Sequence, residues 1–156
     1  MIKGAIFDVD GTLVDSMDMW NQCGVNYLKA RGITPEPGLS AKLATFPINV
    51  TGEYLREHYH IDLPAAEITK NLNDMALDFY MTRAEKKPYI TELLDALSEA
   101  GVRMITATAS DSEVIRRLLG RLGLEKYFSG IYSCEQIGWD KMHPECYLKC
   151  QAMLDT

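Results

Sequence analysis

Hydrophobic and polar positions follow one another along this chain in blocks that predict strands and helices in turn. An apolar run over residues 2–8 ends abruptly at acidic side chains, which is typical of a buried strand. Short apolar runs at 102–108 and 130–133 predict two further strands. Helices are predicted elsewhere, where apolar residues recur three and four positions apart. This pattern covers a long stretch after the first strand and single segments before and after each of the other two strands.

The predicted helices divide the chain further. Residues 16–87 are helical in pattern, with proline-containing loops between the stripes. Gly101 ends the next helix, another begins near Asp111, and a last helix covers about residues 144–155. This order predicts an α/β fold, in which a Rossmann-like core with a mostly parallel sheet carries an inserted helical block.

The domain organisation follows from that order. We expect residues 1–15 and 88–156 to form the core and residues 16–87 to form the inserted block. The chain would pass between them at two linkers. A block that swings on such linkers can exclude water from a reaction site.

Composition excludes several classes of protein. The 156 residues are 47% hydrophobic and 24% charged, which is typical of a globular protein. A net charge of −6 argues against nucleic-acid binding, which needs clustered lysine and arginine. No signal peptide or transmembrane stretch is visible, and the four cysteines lack a disulfide or zinc spacing. We therefore expect a cytoplasmic protein that binds neither nucleic acid nor a membrane.

Candidate chemistry is concentrated in Asp8 and Asp10, just after the first strand. Asp8 lies at the carboxyl end of that strand, where open parallel sheets bind their ligands. One carboxylate can attack an electrophile, the second can transfer protons, and together they can hold a hard divalent cation. The alternative is an ordinary strand-to-turn junction, since aspartate and glycine are common there.

The run Asp8-Val9-Asp10-Gly11-Thr12 resembles motif I of the haloacid dehalogenase (HAD) superfamily, Asp-x-Asp-Gly-Thr. The resemblance implies that Asp8 forms an aspartyl-phosphate. It also implies that Asp10 is the general acid and base, and that Asp8 and the Asp10 backbone carbonyl bind Mg²⁺. A dehalogenase would not need an acid at position 10, so Asp10 favours phosphoryl transfer. The helical block resembles the cap of the β-phosphoglucomutase-like branch.

Thr108, Ala109 and Ser110 lie where the second strand meets its helix. Ser110 and Glu113 fit a capping box, with Ser110 as the N-cap residue, and Thr108 then lies near backbone N–H groups that can donate to phosphate oxygens. By itself, this pattern is better explained by helix capping. Its position after motif I resembles motif II, which implies that Thr108 and Ala109 bind the phosphoryl group, with Ser110 as the alternative to Thr108.

Lys141 follows the third strand in the run Asp140-Lys141-Met142-His143-Pro144. This run resembles the Lys-Pro-x-Pro-Asp form of motif III. The resemblance implies that Lys141 offsets the charge of the nucleophile and the phosphoryl group. An ordinary solvated lysine is the alternative. Met142 replaces the first proline, so we expect the loop to be less rigid.

One part of the family pattern is missing, because no acidic pair follows a further strand after Lys141. We therefore expect that this chain binds Mg²⁺ weakly and turns over slowly, if at all. We also expect a sheet edge at the first strand that permits self-association. The sequence predicts a Mg²⁺-dependent phosphatase that acts on a small phosphorylated metabolite, a sugar phosphate above all. The alternatives are a phosphomutase and a catalytically impaired HAD-like protein that binds or regulates.

Overall fold

The structure, a computed structural model, describes residues 1–155 as two compact units. The first unit, called the sheet unit, comprises Met1–Asp15 and the chain from Ala84 onward, and the second, called the helical unit, comprises Ser16–Arg83. The elements, in chain order, are β1 (Gly4–Phe7), α1 (Met17–Ala30), α2 (Leu39–Leu43), α3 (Ile48–His58), α4 (Ala65–Thr82), α5 (Ile90–Glu99), β2 (Arg103–Thr108), α6 (Ser112–Arg121), a 3₁₀ helix (Glu125–Tyr127), β3 (Gly130–Ser133), α7 (Cys134–Ile137) and α8 (Pro144–Leu154).

The sheet has the order β1-β2-β3, and both pairs of neighbours are parallel. Phe7 of β1 lies opposite Thr106 of β2, and Thr108 lies opposite Ser133 of β3. The carboxyl ends of β1 and β2 therefore reach the same edge of the sheet. The predicted α/β fold with a parallel sheet is confirmed. Among the described residues β1 has one neighbouring strand, and self-association through its open side stays a prediction.

The segment just after the helical unit, residues 84–87, forms hydrogen bonds with residues 13–15, which follow β1 in the chain. The Asp15 N–H donates to the Glu85 carbonyl at 2.9 Å, and the Lys87 N–H donates to the Leu13 carbonyl at 2.8 Å. These bonds attach residues 84–87 to the sheet unit. The compact helical unit consequently ends at Arg83, a few residues before the boundary proposed from the sequence.

The helical unit packs around a core that α1, α3 and α4 share, with Leu28, Leu55 and Leu72 fully buried. Close approach of α3 and α4 requires glycine at position 52. A Cβ atom there would lie 2.2 Å from the Thr69 hydroxyl and 2.9 Å from a backbone oxygen. No helix in the described part of the chain combines the length and the apolar character that crossing a membrane demands.

Helix α8 covers the sheet with a face that carries two thiols. Cys146, Cys150 and Leu154 are buried in a cluster with apolar side chains that include Ile105 and Ala107 of β2. These cysteines are spaced i, i+4, so that both side chains point to the same face of the helix. The sequence favours buried free thiols for this pair, and the structure places both of them inside the core as free thiols.

Burial should make two of the thiols unreactive. It raises the pKa of Cys150 to about 11 and that of Cys23 in α1 to about 11, because the interior disfavours the thiolate. The thiolate is the nucleophile, so we expect iodoacetamide at neutral pH to spare both in the folded protein and to modify both after unfolding in guanidinium. Peptide mass spectrometry measures the extent. Rapid modification of Cys150 in the folded protein would contradict the expectation.

Candidate active site

The loop after β1, which carries Asp8 and Asp10, forms a tight turn stabilised by backbone hydrogen bonds. The N–H groups of Thr12, Leu13 and Val14 all approach the Val9 carbonyl, at 3.1, 2.9 and 3.1 Å. Gly11 makes this possible, because its φ of 77° is a conformation that other residues rarely adopt. Val9 is fully buried, and the acids on either side of it are only partly covered. The loop thus anchors itself through Val9 and leaves both carboxylates at the sheet edge.

Asp8 is held by two side chains. Its Oδ2 atom accepts a hydrogen bond from the Thr12 hydroxyl at 3.0 Å. Its Oδ1 atom forms an ion pair with the Lys141 ammonium, from 133 positions further along the chain. The Lys141 side chain is 28% exposed and that of Asp8 is 42% exposed, so this pair remains open to a ligand on one side. Lys141 is therefore not an ordinary solvated lysine.

The loop that carries Lys141 is organised by the preceding acid. The Asp140 carboxylate accepts from the Met142 N–H at 2.9 Å, and the same oxygen lies 2.8 Å from Nδ1 of His143. The contact with His143, and then the Met142 N–H, hold the pKa of Asp140 below its usual range, so this acid is ionised at neutral pH. These contacts restrain the loop where the family pattern has a proline.

The junction of β2 and α6 differs from the predicted capping box. The N-cap residue of α6 is Asp111, whose carboxylate accepts from the N–H groups of Glu113 at 2.9 Å and Val114 at 3.0 Å. The prediction that Ser110 caps this helix was wrong, because the Asp111 carboxylate takes the donors that a serine cap would use. The Ser110 hydroxyl instead donates to Oδ2 of Asp10 at 3.0 Å.

Thr108 ends β2 and is 1% exposed. Its hydroxyl oxygen accepts a hydrogen bond from the Ser110 N–H at 3.1 Å, and this bond does not use the hydroxyl proton. Ala109 is exposed between these two residues. The structure therefore brings together residues inferred from motifs I, II and III at one edge of the sheet. Asp8 contacts Lys141, and Asp10 contacts the segment from Thr108 to Ser110.

Three supporting residues were not inferred from the sequence. Thr12 holds Asp8, Asp140 organises the Lys141 loop, and Asp111 caps α6. Thr12 could have been found, since its hydroxyl follows the turn at Gly11 within the same motif. The role of Asp140 has a weaker local signal. A short acidic side chain can accept a hydrogen bond from the backbone N–H two positions later, which here belongs to Met142.

The donor set is compatible with a magnesium ion. Asp8 and Asp10 supply hard oxygen ligands at neighbouring positions, and each Asp8 oxygen keeps lone pairs beyond the one hydrogen bond that it accepts. The described residues contain no group of three or more histidine, cysteine, aspartate or glutamate side chains that could hold a metal by themselves. Mg²⁺ fits such a site, because it commonly binds one or two carboxylates and completes its shell with waters and a substrate phosphate.

Several proteins with related sequences are named phosphatases. The chain is 26% identical over 156 residues to hexitol phosphatase B of Escherichia coli K12, an alignment that covers 98% of this chain and 70% of that protein. It is 31% identical over 142 residues to phosphoglycolate phosphatase of Agrobacterium fabrum, an alignment that covers 81% of this chain and 56% of that protein.

A solved structure shares the fold. A putative beta-phosphoglucomutase from Thermotoga maritima superposes with a TM-score of 0.84 at 22% identity, over 99% of this chain and 72% of that one. The sequence model that describes haloacid dehalogenase-like hydrolases matches residues 5–156, nearly the whole chain. This match confirms the family inferred from the motifs, and the chain belongs to the haloacid dehalogenase-like hydrolases.

Proposed function

We propose that this protein hydrolyses a small phosphate monoester through an aspartyl-phosphate on Asp8. The observation that carries the proposal is the ion pair of Asp8 with Lys141, beside a second acid at the same sheet edge. A nucleophilic carboxylate next to a fixed cation can approach an anionic phosphoryl group, because the cation offsets the repulsion between two negative charges. The family and the phosphatase names of the relatives support the same reaction class.

In the first step an Asp8 oxygen forms a bond to phosphorus while the bond between phosphorus and the ester oxygen breaks. Asp10 gives its proton to that leaving oxygen, so an alcohol departs. In the second step Asp10 takes a proton from water, and the water oxygen bonds to phosphorus. The Asp8–phosphorus bond breaks, which releases inorganic phosphate and restores both acids.

The other residues of the site bind and orient. The Lys141 ammonium offsets charge on Asp8 and would offset charge on the phosphoryl oxygens. The Thr108 hydroxyl and the Ala109 backbone N–H would donate to those oxygens. The carboxylate of Asp8 and the backbone carbonyl of Asp10 would hold Mg²⁺. A bound Mg²⁺ would stabilise negative charge on the transferring group.

The substrate class is a sugar or polyol phosphate. One relative is named a hexitol phosphatase, and that name supports this class for the present chain. The helical unit would serve as the cap that selects the organic part of the substrate, since contacts remote from phosphorus set specificity in enzymes of this type. Localisation in the cytoplasm stays a prediction.

The test is an assay of the purified chain against a panel of sugar, polyol and carboxylic-acid phosphates, with p-nitrophenyl phosphate as the generic substrate. Released inorganic phosphate is measured with Mg²⁺, with EDTA and with EDTA followed by excess Mg²⁺. We expect slow turnover that EDTA removes and excess Mg²⁺ restores, with a preference for sugar or polyol phosphates. Binding of these compounds without phosphate release would instead identify a binding or regulatory protein.

A further inference from the structure

Ser110 makes a contact that the proposed mechanism has not used. Its hydroxyl donates to Oδ2 of Asp10 at 3.0 Å, across 100 positions of sequence, and both residues are partly buried. A hydrogen bond to a carboxylate is stronger than one between neutral groups, so this contact restrains the rotamer of Asp10.

The backbone around Ser110 fixes the direction of that hydroxyl. The Ser110 N–H donates to the Thr108 hydroxyl oxygen at 3.1 Å, which ties the residue to the end of β2. On the other side, Asp111 caps α6, so that the helix does not compete for the Ser110 side chain. The serine is thus held from both sides while its hydroxyl points to Asp10.

We propose that Ser110 is a positioning residue that aims the Asp10 carboxyl group at the leaving oxygen. The proposal rests on the function proposed above for Asp10. Because the serine O–H donates to Oδ2, it favours the neutral form of Asp10 that carries its proton on Oδ1, and the contact thereby favours that oxygen for proton transfer. Without the serine hydroxyl this preference between the two carboxyl oxygens is lost, and the proton is presented in productive geometry less often.

Two roles for Ser110 predict different kinetics. A positioning role matters most where the leaving group needs a proton, as an alkoxide does, and little for p-nitrophenolate, which departs as a stable anion. A hydroxyl that binds the phosphoryl group would instead contribute equally to both substrates, since both carry the same group. The ratio of kcat/KM for the two substrates therefore separates the roles.

The variant Ser110→Ala is compared with wild type on β-glycerol phosphate and p-nitrophenyl phosphate. We expect kcat/KM to fall about tenfold for the alkyl ester, the effect of losing one hydrogen bond to a charged group, and to stay within about twofold for the aryl ester. Ser110→Thr keeps the hydroxyl and should restore the alkyl rate. Ser112→Ala, which removes a hydroxyl from the first turn of α6, is the matched control and should leave both rates unchanged. Equal losses on the two esters would overturn the positioning role.

A second measurement does not depend on turnover. The side-chain carboxyl carbon of Asp10, observed by NMR at one neutral pH, should shift in Ser110→Ala and return in Ser110→Thr, because the hydroxyl contact polarises the carboxylate. An unchanged resonance would overturn the proposal whatever the kinetics. If this resonance shifts as expected but Asp8→Asn keeps full phosphatase activity, the contact stands and the covalent mechanism fails, so the two failures are distinguishable.

Discussion

Replacing Asp8 with asparagine is expected to abolish the hydrolysis of p-nitrophenyl phosphate. An amide is a poor nucleophile, so no bond to phosphorus forms and the covalent intermediate never appears. The loss should be roughly 10⁴-fold or more, in line with the removal of nucleophiles from other covalent enzymes. The substitution also removes the charge that Lys141 faces, so a phosphate that binds there meets less repulsion and should bind at least as well.

The fold should survive this change, since the two side chains are nearly the same size and Asp8 is partly exposed. Circular dichroism and thermal unfolding check this directly. Asp62→Asn is the matched control, because it makes the same chemical change at an exposed position of the helical unit. Near-normal turnover by Asp8→Asn, with Asp62→Asn also active, would refute the aspartyl-phosphate mechanism.

The parts of the fold that sequence predicts well are those with a strong local pattern. The strand predicted at 130–133 was found at those residues, and the one predicted at 102–108 was found one residue shorter, at Arg103–Thr108. Both runs bury apolar side chains on a parallel sheet, and this leaves a signal in the sequence itself. The motif around Asp8 was equally visible, because the two acids and the glycine turn lie within four consecutive residues.

The parts that escaped prediction depend on groups far apart in the chain. The local run from Ser110 to Glu113 fits a serine cap, and nothing in it shows that Asp10 will attract the serine hydroxyl while Asp111 takes over the helix end. The hydrogen bonds of Glu85 and Lys87 with Asp15 and Leu13 likewise join groups about 70 positions apart, and neither local run indicates its partner. Each of these groups has a possible partner nearby in the sequence and another far away. The local sequence shows only the nearby partner, so it does not predict which contact forms.

Replacing Asp10 with asparagine is expected to reduce turnover by about 10²–10⁴, the usual contribution of a positioned general acid and base. The amide oxygen at this position can still accept from the Ser110 hydroxyl, so the side chain keeps its place while it loses the acid–base function of the carboxyl group. Binding of Mg²⁺ should weaken less, because the proposed ligand from this residue is its backbone carbonyl. Titration calorimetry of both forms measures that difference.

The two steps of the reaction should respond differently to this variant. With p-nitrophenyl phosphate the first step needs no proton, so Asp8 still becomes phosphorylated, whereas the second step lacks the base that activates water. We therefore expect Asp10→Asn to release one nitrophenolate per molecule in a burst and then to stall with the phosphoryl group attached. Mass spectrometry of the stalled protein should show the added group on the peptide that contains Asp8, and its absence from Asp8→Asn is the control. A variant that turns over steadily without a burst, at the wild-type rate, would assign proton transfer to a group other than Asp10.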